Sequence, residues 1–279
     1  MNEILDKSYL SEQVISMVVS APEIAARRKA GQFIVLMTGE NGERIPLTIA
    51  DEDKERGTIT IIFQIVGKTT ACLAGMNVGE RIYSILGPLG SPTEIENFGL
   101  TVCVGGGVGI GVVYPIAKAL KEAGNRIISI IGARSKNILI LEEEMREASD
   151  ELLVATDDGS CGFHGFVSEV LQKLIDSGTR IDRVFAVGPV PMMRVICDVT
   201  RPHKIKTIVS LNPIMVDATG MCGACRVAVG GKTKFACVDG PEFDGHEVDF
   251  RLLATRLRMY EAEEKKAMEA HRCHCHSPS

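Results

Sequence analysis

The sequence predicts a β plus α/β protein. An N-terminal antiparallel barrel comes first, then a parallel sheet with crossover helices, then a small cysteine-bearing segment and a C-terminal helix. Three observations carry this prediction. Residues 1 to about 95 hold only short β-rich runs bounded by Pro, Gly, Asn and Asp. From Leu100 onward, strands alternate with helical stretches at the spacing of crossover units. After residue 206 the chain becomes Gly-rich and gathers Cys222, Cys225 and Cys237 into one stretch.

In the first part, Val14–Val19, Phe33–Met37 and Thr58–Val66 read as strands, and about six strands would complete a barrel. Gly87-Pro88-Leu89-Gly90-Ser91-Pro92 reads as a turn-rich linker. The second part opens with the apolar strand Leu100–Val104, followed by Gly105-Gly106-Gly107-Val108-Gly109-Ile110-Gly111 and a helix over Val113–Glu122. Strands at 126–131, 151–156 and 183–187 then alternate with helices at 141–148 and 166–176. A charged helix is expected over Phe250–Arg272, with Leu252, Leu253, Leu257 and Met268 as its apolar positions.

Composition excludes several classes. A chain of 279 residues with 45% apolar and 24% charged residues is long enough for two domains and is not wholly disordered. Net charge is −5 and Trp is absent, which offers nucleic acid neither a basic surface nor an aromatic platform. The N-terminus MNEILDKSYLSEQ lacks the pattern of a secretory signal, and no apolar run approaches membrane-spanning length. Nine cysteines sit mostly in apolar runs, the usage expected in a reducing cytoplasm.

The sharpest local signal is Asp217-x4-Cys222-x2-Cys225-x11-Cys237. Thiolates two residues apart on a tight turn can converge on one metal centre. The spacing is that of a plant-type 2Fe–2S site with Asp at its first position. A zinc knuckle, or buried cysteines without metal, is the competing reading.

Several further groups of residues suit phosphates or a dinucleotide. Arg44-Ile45-Pro46-Leu47-Thr48 enters a strand, where the guanidinium could hold a pyrophosphate or simply form a surface salt bridge. Gly67-Lys68-Thr69-Thr70 opens a short helical run whose amides and hydroxyls could cradle phosphate. It is not a Walker A loop, because the upstream Gly position is Ile62. Gly106, Gly107 and Gly109 lie between strand and helix, where a pyrophosphate could approach the backbone. Turns carrying Asp157 and Asp158, and Gly188, Pro189 and Met192, follow later strands and are expected to share that crevice. Cys161 could shield a cofactor there or simply pack. Asp157 and Asp158 could repel a 2′-phosphate, whereas Arg134 could attract one.

In this order, Arg-Ile-Pro-Leu-Thr, Gly-Pro-Leu-Gly, the Gly run and Val-Gly-Pro-Val-Pro-Met-Met resemble the ferredoxin–NADP reductase superfamily. The cysteine segment resembles that of dihydroorotate dehydrogenase electron-transfer subunits, which carry Cys where this chain has Asp217. With Asp in place, it is similar to the small-subunit family of NADH-dependent reduced-ferredoxin:NADP+ oxidoreductases, also labelled sulfide dehydrogenases. The chain departs from many superfamily members at Val112, where they carry proline.

The resemblance implies an FAD-binding β-barrel over residues 1–96 and a parallel-sheet NAD-binding domain over 97–206. It also implies a 2Fe–2S segment over 207–250 and a helix and tail over 251–279. Arg44, Pro46, Leu47 and Thr48 would meet the flavin, with Gly67, Lys68, Thr69 and Thr70 at its pyrophosphate. The Gly run, Asp157, Asp158, Gly188, Pro189 and Met192 would lie near NAD(H). Asp217, Cys222, Cys225 and Cys237 would be the cluster ligands, and no side chain would act as catalytic acid, base or nucleophile.

A larger partner subunit with a second flavin and 4Fe–4S clusters is implied, through which ferredoxin is reached indirectly. The expected activity is electron transfer among NADH, FAD, the cluster and that subunit, as the NAD(H) arm of an electron-bifurcating oxidoreductase. Competing readings are a dihydroorotate dehydrogenase subunit, a stand-alone flavin or ferredoxin reductase, and a zinc-stabilised nucleotide-binding regulator. The tail residues His271, Cys273, His274, Cys275 and His276 could bind metal or form a loose terminus.

Overall fold

The computed structural model describes residues 1–275, with side chains described to residue 270. The first body is a six-stranded antiparallel sheet. It is built from β1 (Ile4–Ser11), β2 (Val14–Ser20), β3 (Phe33–Met37), β4 (Ile45–Asp53), β5 (Thr58–Gln64) and β6 (Ser84–Leu89). Helices α1 (Pro22–Arg27) and α2 (Lys68–Gly75) interrupt it. The strand order is β1-β2-β5-β4-β3-β6. The edges close through Ile4 N to Glu80 O at 2.9 Å and Ile82 N to Asn2 O at 2.9 Å, so the sheet is a barrel. Ile15 and Met17 of β2 and Ile59, Ile61 and Phe63 of β5 point inward at every second position and fill it.

One local expectation changes here. The stretch from Gly87 is no linker, because Gly87, Pro88 and Leu89 complete β6 and pair beside β3. β5 alternates more cleanly than its composition suggests. Its outward Ile62 is half-buried because the second body covers it: a Cβ on Gly111 would stand 3.3 Å from Ile62.

The second body is a seven-stranded sheet with helices on both faces. Its elements are β7 (Leu100–Gly106), α3 (Ile110–Glu122), β8 (Arg126–Ala133), α4 (Glu142–Glu147), β9 (Glu151–Thr156), β10 (Phe163–His164) and α5 (Val167–Asp176). They continue with β11 (Arg183–Val187), α6 (Val190–Thr200) and β12 (Lys206–Ser210). A hairpin follows, β13 (Arg226–Val229) and β14 (Lys232–Phe235), and then β15 (Glu242–Asp244). Strand order is β10-β9-β8-β7-β11-β12-β15, with β15 alone antiparallel. Val102 and Val104 pack toward α5 and α6, whereas Cys103 packs toward α3, so β7 is buried on both faces.

The charged C-terminal stretch forms two helices rather than one, α7 (Phe250–Leu257) and α8 (Glu261–Cys275). The apolar face that docks α7, formed by Phe250 and Leu253, runs out at Leu257. Leu252, one of the apolar positions of the expected helix, is exposed. Beyond Leu257 the chain has little to bury, and it turns before α8 packs along α2. The side chains of His271, Cys273, His274 and Cys275 lie outside the described residues, as does all of His276. Among the described residues no helix is long and apolar enough to cross a membrane.

Candidate functional site

The barrel and the large sheet meet at a crevice of about 300 Å3. From β7 the chain runs outward through β8 and β9, then crosses back to β11 and β12 on the other side of β7. That reversal is a switch point, where strand ends diverge and leave room for a ligand. The barrel contributes Pro46 and Thr48 to the crevice, and the sheet contributes Gly106, Gly107 and Gly109. Gly188 and Pro189 close the far side. Leu47 lies between Pro46 and Thr48 on an alternating strand and packs against the barrel core instead.

The three glycines after β7 differ in what they do. A Cβ on Gly106 would stand 2.4 Å from Met192 Sδ, and one on Gly109 would stand 2.5 Å from Val187 O. These two let the β7 and β11 turns pack together. Gly107 has φ of 56° and nothing within 4 Å of its Cβ position, so it presents bare backbone to the crevice. The Met192 side chain covers both Gly106 and Gly188.

Arg44 is exposed at the entry to β4. Its neighbour Glu43 accepts a hydrogen bond from Thr69 Oγ1 at 2.7 Å, which brings this turn to the start of α2. Thr70 Oγ1 accepts from Val66 N and Gly67 N, both at 3.0 Å, and donates to Gly67 O at 2.9 Å. Both threonine hydroxyls are therefore engaged within the protein. The helical ladder begins with Ala71 N to Gly67 O at 2.9 Å, so the earlier amides and the exposed Lys68 are what the turn offers an anion.

Asp157 and Asp158 lie at the end of β9, outside the crevice lining. Their amides donate to Ala133 O and Arg134 O, both at 3.1 Å, so the acidic turn and the Arg134 turn are tied together. Hydrogen bonds from Ser160 hold the Asp158 carboxyl below the usual carboxylate range. Cys161 borders a separate apolar groove beside α5 and does not line the crevice. Elsewhere, Cys103 and Cys197 are buried and Cys72 is half-buried.

On the cysteine loop, Cys225 and Cys237 are both buried, and their sulfurs lie 3.1 Å apart. Burial, together with Cys225, pushes the Cys237 thiol up to about 12. Cys222 is exposed on the same loop, its Sγ 3.5 Å from Ala224 N. Asp217 is turned toward the backbone, accepting from Thr219 N at 3.0 Å and Cys222 N at 2.9 Å. The Thr219 amide, then Cys222, holds its carboxyl below the usual range. Among the described residues no three His, Cys, Asp or Glu side chains converge as a metal set. The donor chemistry nevertheless fits a thiolate-bound centre. Two sulfurs already meet, the third lies three positions before one of them, and the carboxylate is hydrogen-bonded to that third residue's amide.

Sequence reasoning missed Gln64 and Asn212, which line the crevice. A polar residue closing a β-branched strand, and an Asn just beyond the carboxyl end of β12, were the available signals.

Residues 212–249 match the family described as the iron–sulfur cluster binding domain of dihydroorotate dehydrogenase B. A dihydroorotate dehydrogenase B (NAD(+)) electron transfer subunit homolog from Thermotoga maritima is 49% identical over 269 residues, 96% of this chain and 95% of that protein. The electron transfer subunit from Bacillus caldolyticus is 34% identical, covering 86% of this chain and 94% of its own. A chain of the solved NADH-dependent reduced ferredoxin–NADP oxidoreductase, described for flavin-based electron bifurcation, aligns with a TM-score of 0.92. It is 48% identical and 97% of each chain is covered.

Proposed function

The chain belongs to the dihydroorotate dehydrogenase B electron transfer subunit family, and from that premise we propose that it is the NAD(H)-linked arm of a cytoplasmic, electron-bifurcating NADH-dependent ferredoxin:NADP+ oxidoreductase. The supporting observation is the 0.92 TM-score at 48% identity, sustained over 97% of both chains, with the bifurcating oxidoreductase. It is an oxidoreductase electron-transfer subunit, which implies a larger partner. In our reading that partner carries a second flavin and 4Fe–4S clusters and meets ferredoxin.

In this reading FAD lies between the barrel of residues 1–96 and the sheet domain of 97–206, and a 2Fe–2S cluster lies in 207–250. A bound flavin supplies the exchange between two-electron hydride chemistry and the one-electron chemistry of an iron–sulfur centre. The residues of the chain bind and orient. Pro46 and Thr48 form the barrel wall of the crevice, and the Arg44 turn and first-turn amides of α2 hold diphosphate. Gly107 lets dinucleotide approach the backbone, while Met192 packs against Gly106 and Gly188. Asp157 and Asp158 disfavour a 2′-phosphate, which makes NADH the preferred dinucleotide. Asp217, Cys222, Cys225 and Cys237 hold the cluster.

The test is to isolate the native complex anaerobically and mix it with NADPH, NAD+ and oxidised ferredoxin. Reduction of ferredoxin that requires NAD+ supports the proposal. A second reading, service to a dihydroorotate dehydrogenase, is favoured by the match over residues 212–249. NADH-dependent orotate reduction, without NAD+-dependent ferredoxin reduction, would replace the first reading with the second.

A further inference from the structure

Arg256 stands in the last turn of α7, and its Nη2 donates to Ala224 O at 3.0 Å. Ala224 lies between Cys222 and Cys225, so the guanidinium grips the loop that carries two expected ligands. The helix that presents it is anchored. Asp249 caps it by accepting from Leu252 N at 2.9 Å, and Phe250 and Leu253 are buried.

Two features go beyond loop bracing. Arg256 Nε is buried with no hydrogen-bond partner among the described residues, a costly state for a charged donor. Nor does any carboxylate among the described residues form an ion pair with Arg256. A second cation is close, because Arg226 Nη1 lies 4.0 Å from where a Gly223 Cβ would stand. The loop is therefore flanked by two guanidinium groups, and only Arg256 is fastened to it.

This inference rests on the cluster reading above. Three thiolates and a carboxylate leave such a centre negatively charged, and reduction adds one more electron. A permanent positive charge with no carboxylate partner favours the reduced state, and net charge and hydrogen bonding around the sulfurs set the potential. We propose that Arg256 is a positioning residue for the Cys222–Cys225 loop whose charge raises the reduction potential of the cluster. One electron is taken up from the reductant, no bond to Arg256 forms or breaks, and no proton moves.

The test is an anaerobic redox titration of the purified complex followed by paramagnetic resonance. Iron and acid-labile sulfide are assayed for wild type, Arg256→Gln and Arg256→Lys. Arg256→Gln is expected to shift the one-electron equilibrium about tenfold toward the oxidised cluster, which is about 59 mV more negative. Arg256→Lys keeps the charge but not the fork, so its shift has the same sign and is smaller. A fully loaded Arg256→Gln variant with the wild-type midpoint overturns the proposal. If the Gln variant does not load, a loaded Arg256→Lys variant with the wild-type midpoint and spectrum does so. If neither loads although both keep native far-UV spectra, the claim about potential is lost. A wild-type complex with no iron signal at this loop sinks the cluster reading itself, an outcome separate from the others.

Discussion

At the scale of single residues, neighbouring glycines have opposite consequences. Gly107 holds a left-handed φ of 56° over open space. An alanine there strains the backbone by roughly 1–2 kcal/mol without a clash. Gly107→Ala is therefore expected to keep most of its stability while weakening NADH binding severalfold, as read by calorimetric melts and dinucleotide titration. Gly109→Ala pushes a methyl to 2.5 Å from Val187 O and 2.8 Å from Gly188 Cα. It should cost roughly 1–3 kcal/mol through overpacking, so its melting temperature falls further than that of Gly107→Ala. Equal stability losses in the two variants would show that the glycines do the same job.

At the scale of elements, two short helices hold the two candidate sites. α2 begins on a turn fastened by the three hydrogen bonds of Thr70 Oγ1. Thr70→Val keeps the shape and leaves the Val66 and Gly67 amides without that acceptor. It is expected to lose roughly 1–3 kcal/mol and to retain less flavin, read from denaturant melts and visible absorbance after gel filtration. α7 depends on its Asp249 cap. Asp249→Ala should cost roughly 1 kcal/mol and loosen the cysteine loop through Arg256, so iron content falls along with the urea midpoint. The linker expected from Gly87 became a strand because β3 lay open to pair with it. The single helix expected after residue 250 split because its apolar face ends at Leu257.

At the scale of the whole molecule, one hydrogen bond joins the chain leaving the barrel to the last strand of the sheet. Thr93 Oγ1 donates to Glu242 Oε1 at 2.6 Å. Burial pushes the Glu242 carboxyl up to about 7, and the Thr93 hydroxyl only partly opposes that. The folded chain therefore binds this proton more tightly than the unfolded chain, whose value is 4.5. The stabilisation is full below that value and is lost as pH rises through 7. Between pH 5.5 and 8 the wild type should lose roughly 2 kcal/mol that Glu242→Gln retains. Urea midpoints of both proteins at the two pH values check this, and parallel pH profiles would rule it out.

The order of β-rich, α/β and cysteine-bearing segments was legible because side-chain periodicity and glycine placement are local. So was the cysteine spacing, since a loop needs only its own residues to be recognised. Local pattern could not reveal that Gly106 and Gly109 serve loop-to-loop packing while Gly107 alone faces open space. Nor could it show Thr69 reaching Glu43, Gln64 and Asn212 lining one crevice, or Arg256 gripping the loop at Ala224. Each of these depends on contacts between segments far apart in the chain. Such contacts exist only once the chain has folded, because hydrogen bonds and close packing act over a few ångströms of space and not along the sequence.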